Sequence, residues 1–315
     1  MIQPQSKSGV PAARPGEAPA SSTRSGQVPR GDRPLLRLCI LSVPARRVAG
    51  GAVDLDACAA EATRLAGLGF GVALGLDPAE RADLGWNRLH ELVKRTGELG
   101  LAHGLVVGIS NEPAGSAASI GDQLEAVAAQ ASAVEEAGGV PLVLPLPALS
   151  RRRCKEAEYV EVYRTLLARV AGPVILDWTG ARVRPELLDY FPGKSFERVM
   201  ALEPAKVRGA RFALLDVARE TRLRRELLAR DQLLFTADRA HLGPLLLGSN
   251  AGIAGDRVAQ PVREVELAGR AIALGDFSHA IVAGLEGRAE ALAEALATLA
   301  AGDAAGTLER LAALA

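Results

Sequence analysis

Lysine is nearly missing from this sequence: Lys7, Lys94, Lys155, Lys194 and Lys206 are the only ones among 37 basic residues, and the rest are arginine. Chemistry that needs a neutral side-chain amine has only these positions to draw on. Aromatic residues make up 3% of the chain. The cysteines, Cys39, Cys58 and Cys154, are odd in number and scattered, which argues against a disulfide framework or a paired thiolate metal site and reads as buried, reduced thiols. No apolar run reaches the roughly 18 residues a membrane span requires, and the N-terminus lacks the apolar core of a secretion signal. Acidic and basic residues balance at 37 each, so net charge favours neither nucleic acid nor an acidic membrane surface. The expectation is a cytoplasmic protein without nucleic-acid or membrane partners.

What the chain does have is 49% hydrophobic and 23% charged residues, enough to build a sizeable core. Residues 1–33 are rich in Pro, Gly, Ser, Ala and Arg and have few large apolar side chains. They read as a disordered tail; a transit peptide is the alternative, though prolines interrupt it. Beyond them, short apolar runs at 35–43, 69–75, 103–109, 140–144, 173–177, 209–215, 232–237 and 251–255 read as strands buried on both faces. Amphipathic segments separate them, such as Leu55, Cys58, Ala62 and Leu65 behind the cap Asp54, or Tyr159, Tyr163, Leu166, Leu167 and Val170. Eight such units predict an α/β fold: a (β/α)8 TIM barrel over 34–260, with an Ala/Leu/Glu/Arg-rich C-terminal helical bundle over 261–315. A doubly wound sheet is the alternative, but no glycine-rich phosphate loop follows the first strand.

Several segments carry a family resemblance. Residues 237–261, ADRAHLGPLLLGSNAGIAGDRVAQP, resemble the end of the seventh strand, the following helix and the eighth strand of the dihydrodipicolinate synthase / N-acetylneuraminate lyase superfamily. GRAIALGDFSHA at 269–280 is similar to the group's next helix and its turn. GFGVA at 69–73, PVIL-x-W at 173–178 and LLD-x-x-RE at 214–220 resemble a little-studied bacterial subgroup of unknown function. The resemblance implies a barrel of the class I aldolase/lyase type that acts on a keto acid or a sugar-derived acid.

It also implies a lysine in the sixth strand that forms a Schiff base with a keto acid. Here that strand reads VRGARFALLD, and Arg211 stands at the place. A guanidinium stays protonated and cannot act as an amine nucleophile. Lys206 precedes the strand, at the face of a barrel opposite the site. Where the group has Y-N-x-P-x-R, this chain has DWTGAR: Asp177 for the tyrosine, Trp178 for the asparagine, and Arg182 at the carboxylate-binding arginine. The G-T-T-G-E loop is replaced by residues 75–80, GLDPAE, without the hydroxyl pair. Ordinary aldol chemistry is therefore expected to be lost.

Barrel chemistry sits at strand C-termini, which makes Asp177 and Arg211 the candidate catalytic pair. Asp77, Trp178, Arg182, Asp216, Asp238, His241 and Asn250 are the candidate substrate-binding groups. Four of these have a plainer reading: salt bridges for Asp177 and Arg211, packing for Trp178, a helix cap for Asp238. Ser110 and Asn111 read as turn residues, and His90, His103 and His279 as structural, the last within the terminal bundle. Asp177, Asp238 and His241 would suit a divalent metal by ligand type, but neither a metal nor a cofactor is expected. The expected partner is a small anionic carboxylate or sugar-derived ligand. Oligomers, with itself or with a paralogue, come from the resemblance alone. An enzyme with a changed mechanism and a catalytically silent binding or regulatory subunit both remain open.

Overall fold

In the computed structural model of the protein, residues 38–49, 51–101, 104–110, 119–248, 263–267, 270–274 and 277–315 are described. The predicted tail, strand 251–255, His103, Asn111 and Asn250 lie outside them, as does Lys7. Seven strands fall within or beside the predicted apolar runs: β1 (Cys39–Ser42), β2 (Gly71–Leu74), β3 (Leu105–Ile109), β4 (Val140–Val143), β5 (Val174–Thr179), β6 (Val207–Ala213) and β7 (Leu233–Thr236). Next comes an antiparallel pair, β8 (Arg263–Leu267) and β9 (Arg270–Leu274), and then β10 (His279–Val282). Strands β1 to β7 and β10 form a closed parallel barrel in the order β1-β10-β7-β6-β5-β4-β3-β2. This is the predicted TIM barrel.

The C-terminal third departs from expectation. The strand that closes the ring is β10, pairing Cys39 with Ala280 on one side and Phe235 with His279 on the other. It lies within 261–315, the span predicted to be helical, so the barrel does not end at 260. Residues 269–280 likewise contain β9 where the resemblance implies a helix. The physical reason is visible in REVEL, whose alternation of charged and β-branched or aliphatic residues has the period of a strand. Among the described residues, the C-terminal α-helices are α9 (Ala289–Ala300) and α10 (Ala304–Ala312).

Helices α1 (Leu55–Gly67), α2 (Pro78–Gly97), α3 (Ile120–Glu136), α4 (Pro147–Arg151), α5 (Glu156–Arg169), α6 (Ser195–Met200), α7 (Val217–Leu228) and α8 (Leu242–Leu247) surround the ring. Asp54 caps α1 by accepting from the Ala57 amide at 2.9 Å, and Cys58, Ala62 and Leu65 are buried, as predicted. Ser119 and Asp122 form a capping box on α3. Alternate strand residues separate two apolar cores. Ile40, Ala73, Val106, Leu142, Ile175, Leu233, Phe235 and Ile281 fill the lumen, and the intervening residues pack on the helices. The scarce aromatics concentrate behind β5 and β6: Tyr159, Tyr163, Trp178, Tyr190, Phe191, Phe196 and Phe212 form one connected group of rings. Tyr163 and Tyr190 share a hydroxyl hydrogen bond of 2.8 Å, and the Leu146 amide donates to Tyr190 at 2.8 Å.

The strand ends on the opposite side are held by a buried arginine. Arg81, on α2, donates to the carbonyls of Gly108 and, at 3.1 Å, Ser110. Gln130 braces Ser110 at both backbone atoms, at 3.0 and 2.8 Å. A Cβ at Gly108 would collide with the backbone carbonyl of Gly75. Gly108→Ala should therefore destabilise the fold by about 1–3 kcal/mol through overpacking. Gly67→Ala, at an exposed helical position with nothing near its Cβ, should be neutral or stabilising by up to about 1 kcal/mol. Urea denaturation of both variants checks the contrast; equal effects would mean β2 and β3 are not closely apposed.

Candidate functional site

Asp177 and Arg211 face each other in register on adjacent strands. Ile175 and Ile281 belong to the lumen core, so the alternation puts Asp177, Thr179 and Arg211 on the lumen face too. Arg211 Nη1 donates to Asp177 Oδ1 at 2.7 Å. Thr179 Oγ1 donates to Asp177 Oδ2 at 2.6 Å. Arg211 Nε donates to the carbonyl of Ile281, on β10, at 3.0 Å. The Asp177 side chain has no solvent exposure, whereas Arg211 retains 11%. The carboxylate is thus enclosed and its two oxygens are engaged, and the guanidinium keeps an open edge.

The other predicted residues are spread around the ring. Asp77 caps α2, accepting from the Ala79 amide at 2.7 Å, and Asp216 caps α7, accepting from Arg219 at 3.0 Å. Trp178, next to Asp177, points the other way into the aromatic group, with the Arg219 guanidinium over its ring at 4.5 Å. Arg182 is exposed and donates to the Leu215 carbonyl at 3.1 Å. Asp238 is buried beyond β7; it accepts from His241 Nδ1 at 2.8 Å. The His241 side chain is half exposed. No group of three His, Cys, Asp or Glu that could hold a metal occurs among the described residues, so Asp177, Asp238 and His241 are not brought together. His279 is not in a helical bundle: it sits on β10 with its ring 5.3 Å from that of Phe235. Lys206 donates to the Leu167 carbonyl at 2.6 Å, ahead of β6. Lys94, Lys155 and Lys194 are exposed on helices or loops.

Two groups escaped sequence reasoning. Thr179, an ordinary β residue, completes the shell of Asp177. Glu220, on α7, is 1% exposed. It lies inside the motif LLD-x-x-RE, but with Arg224 one turn on it looks like an ordinary solvated Glu–Arg pair. In fact Glu220, Leu223, Arg224 and Leu227 form the buried face of α7. Arg224 donates to the Leu245 carbonyl at 3.1 Å. Glu220 Oε1 has no hydrogen-bond partner. Burial, with Asp238 nearby, pushes Glu220 up to about 8, against the lowering effects of Thr236 and Arg224. The cysteines are free thiols; burial pushes Cys39 up to about 12 and raises Cys58 and Cys154.

Residues 42–314 match the family described as "Protein of unknown function (DUF993)". The chain belongs to this family. No curated protein matches. Solved structures with the same barrel include 4-hydroxy-tetrahydrodipicolinate synthase from Methylacidiphilum fumariolicum SolV, at 12% identity and TM-score 0.61, covering 87% of this chain and 76% of that one. N-acetylneuraminate lyase from Fusobacterium nucleatum matches at 12% identity and TM-score 0.57, covering 86% and 79%. Dihydrodipicolinate synthase from Oceanobacillus iheyensis matches at 15% and 0.56, covering 87% and 77%. At these identities the likeness is one of fold. That fold is the one the resemblance read from the sequence implies. No helix among the described residues is long and apolar enough to cross a membrane.

Two measurements test this electrostatic layout. Arg211→Met leaves Asp177 buried without its cation and should cost about 3–5 kcal/mol; adding Asp177→Leu should recover much of that loss. A double-mutant cycle in urea reads the coupling, and a near-neutral single variant would show that the pair is solvated. The second test concerns pH. Glu220 takes its proton up more readily folded than unfolded, so its contribution to stability is full below the usual carboxylate range. It falls as pH rises towards about 8 and levels off above that. Glu220→Gln should flatten that decline and be the more stable protein at alkaline pH, as measured by denaturant midpoints across the range.

Proposed function

We propose that this protein is an aldolase/lyase-superfamily barrel that acts on or binds a small keto acid or sugar-derived acid without a Schiff base. The observation that supports it most is the lumen pair: position 211 carries a guanidinium held by Asp177 and the Ile281 carbonyl, while every described lysine lies outside the lumen. Imine formation needs an uncharged amine, which arginine does not offer. A fixed guanidinium with a free edge is instead a forked donor suited to a carboxylate. Asp177 acts in this reading as the residue that positions Arg211. Asp238 and His241 supply a second polar group beyond β7, with the imidazole oriented by a buried carboxylate, an arrangement suited to proton transfer.

The complete engagement of Asp177 favours a second reading, a catalytically silent binding or regulatory subunit that works beside an active paralogue. Both readings require an acid in the lumen. Pyruvate, 2-oxoglutarate and gluconate, tested one by one, should include at least one that raises the melting temperature. Arg211→Lys, which keeps the charge but loses the fork, should reduce that shift. Borohydride with labelled pyruvate should leave the native protein unlabelled. A stable lysine adduct would overturn the proposal, and turnover of the stabilising acid would decide for the enzyme over the silent subunit.

A further inference from the structure

On the far side of β5 from the lumen pair lies a cavity of about 970 Å³, formed by the segments that follow β4, β5 and β6. Four cationic residues line it, Arg151, Arg153, Lys155 and Arg219, against two acidic ones, Glu186 and Asp189. Glu186 is already paired with Arg184 at 2.6 Å, which leaves the balance of the cavity positive. Its inner wall is apolar: Trp178, beneath the Arg219 guanidinium, and Tyr159. At its lip Leu188 is 66% exposed, and Val183 and Leu215 nearby are also unusually exposed for their type. The buried Tyr159 hydroxyl lies near both the Ser150 hydroxyl and the Phe191 backbone, and neither hydroxyl makes a hydrogen bond of good geometry. Buried polar atoms in that condition are rare.

The backbone here is also exceptional. Five described non-glycine residues have positive φ, and three of them, Arg153 (50°), Asp189 (58°) and Phe191 (57°), line this cavity; a fourth, Leu215 (54°), adjoins it. A bulky residue such as Phe191 enters this region only when its surroundings enforce it, and such strain gathers at ligand clamps and switches.

We propose that this cavity is a second ligand site, separate from the lumen, for a small organic acid: an anionic head group on a compact apolar body. Arg219 and Arg153 meet the head group, and the apolar lip and wall receive the body. Free carboxylates and phosphate esters share this chemistry, so the test carries one of each.

Trp178 reports directly on the site. In a Trp86→Phe variant, Trp178 is the sole tryptophan. Phenylacetate and phenyl phosphate are titrated into it, with acetate, inorganic phosphate and benzyl alcohol as head-only and body-only controls. The expected result is a saturable change in Trp178 emission with phenylacetate, phenyl phosphate or both, far weaker with the controls. Calorimetry on Arg219→Met and Arg153→Ala, each checked for an unchanged melting curve, should show affinity lowered on the order of tenfold or more. Arg211→Lys should leave this binding intact, which separates the result from the lumen proposal. Absence of saturable binding of either probe by both methods overturns the inference. So does binding that survives both cavity substitutions and disappears with Arg211→Lys, because that places the acid in the lumen.

Discussion

A guanidinium enclosed by a barrel wall is tolerable only if carboxylate and carbonyl oxygens replace the water it gives up. Each buried ion carries a desolvation penalty of several kcal/mol, so the pair must be made well or not at all. Here the replacement is supplied by two other strands: the Asp177 carboxylate on β5, itself held by Thr179, and the Ile281 carbonyl on β10. Arg211 on β6 thereby reaches past β7 to the strand that closes the ring. A slip of one residue in β5 would turn Asp177 outward into the aromatic layer and Trp178 into the lumen. The pair therefore ties register and closure together, and the chemistry open to the lumen follows from it.

That constraint also explains which parts of the site were legible in the sequence. Strands buried on both faces read as unbroken apolar runs, so the runs show where strands lie but not which residues face inward. Asp177 and Trp178 both look like site residues from their position at a strand end, yet consecutive strand residues point to opposite faces. Alternation alone could have separated them. Asp77 and Asp216 illustrate a different competition. A carboxylate just after a strand and just before a helix is also the best N-cap, and in both cases the local hydrogen bond accounts for the residue. Glu220 was hidden for the converse reason, since a helical Glu–Arg pair is ordinarily solvated and only the packing of α7 on β7 reveals that it is not.

The eighth strand shows the limit of pattern matching. HAIV is as short and apolar as the other strands, but the segment at 251–255 carries a similar signal, and the resemblance favoured the earlier one. The choice between them rests on pairing with both β1 and β7, a long-range requirement that a local apolar run does not encode. The antiparallel pair β8 and β9 lies between β7 and β10 in the chain without adding a strand to the ring.

The aromatic residues complete the argument about β5. A chain with so few rings places most of them behind the strand whose other face holds the buried pair. Offset and edge-to-face packing among large rings gives a wall with little freedom to relax. Such a wall can hold Phe191 and its neighbours in left-handed conformations that cost on the order of 1–3 kcal/mol each, and it fixes the backbone of Asp177 at the same time. The rigidity that keeps Asp177 aligned with Arg211 and the strain that shapes the outer cavity thus have one source. The rings sit against β5 because each face of that strand is committed to a different task.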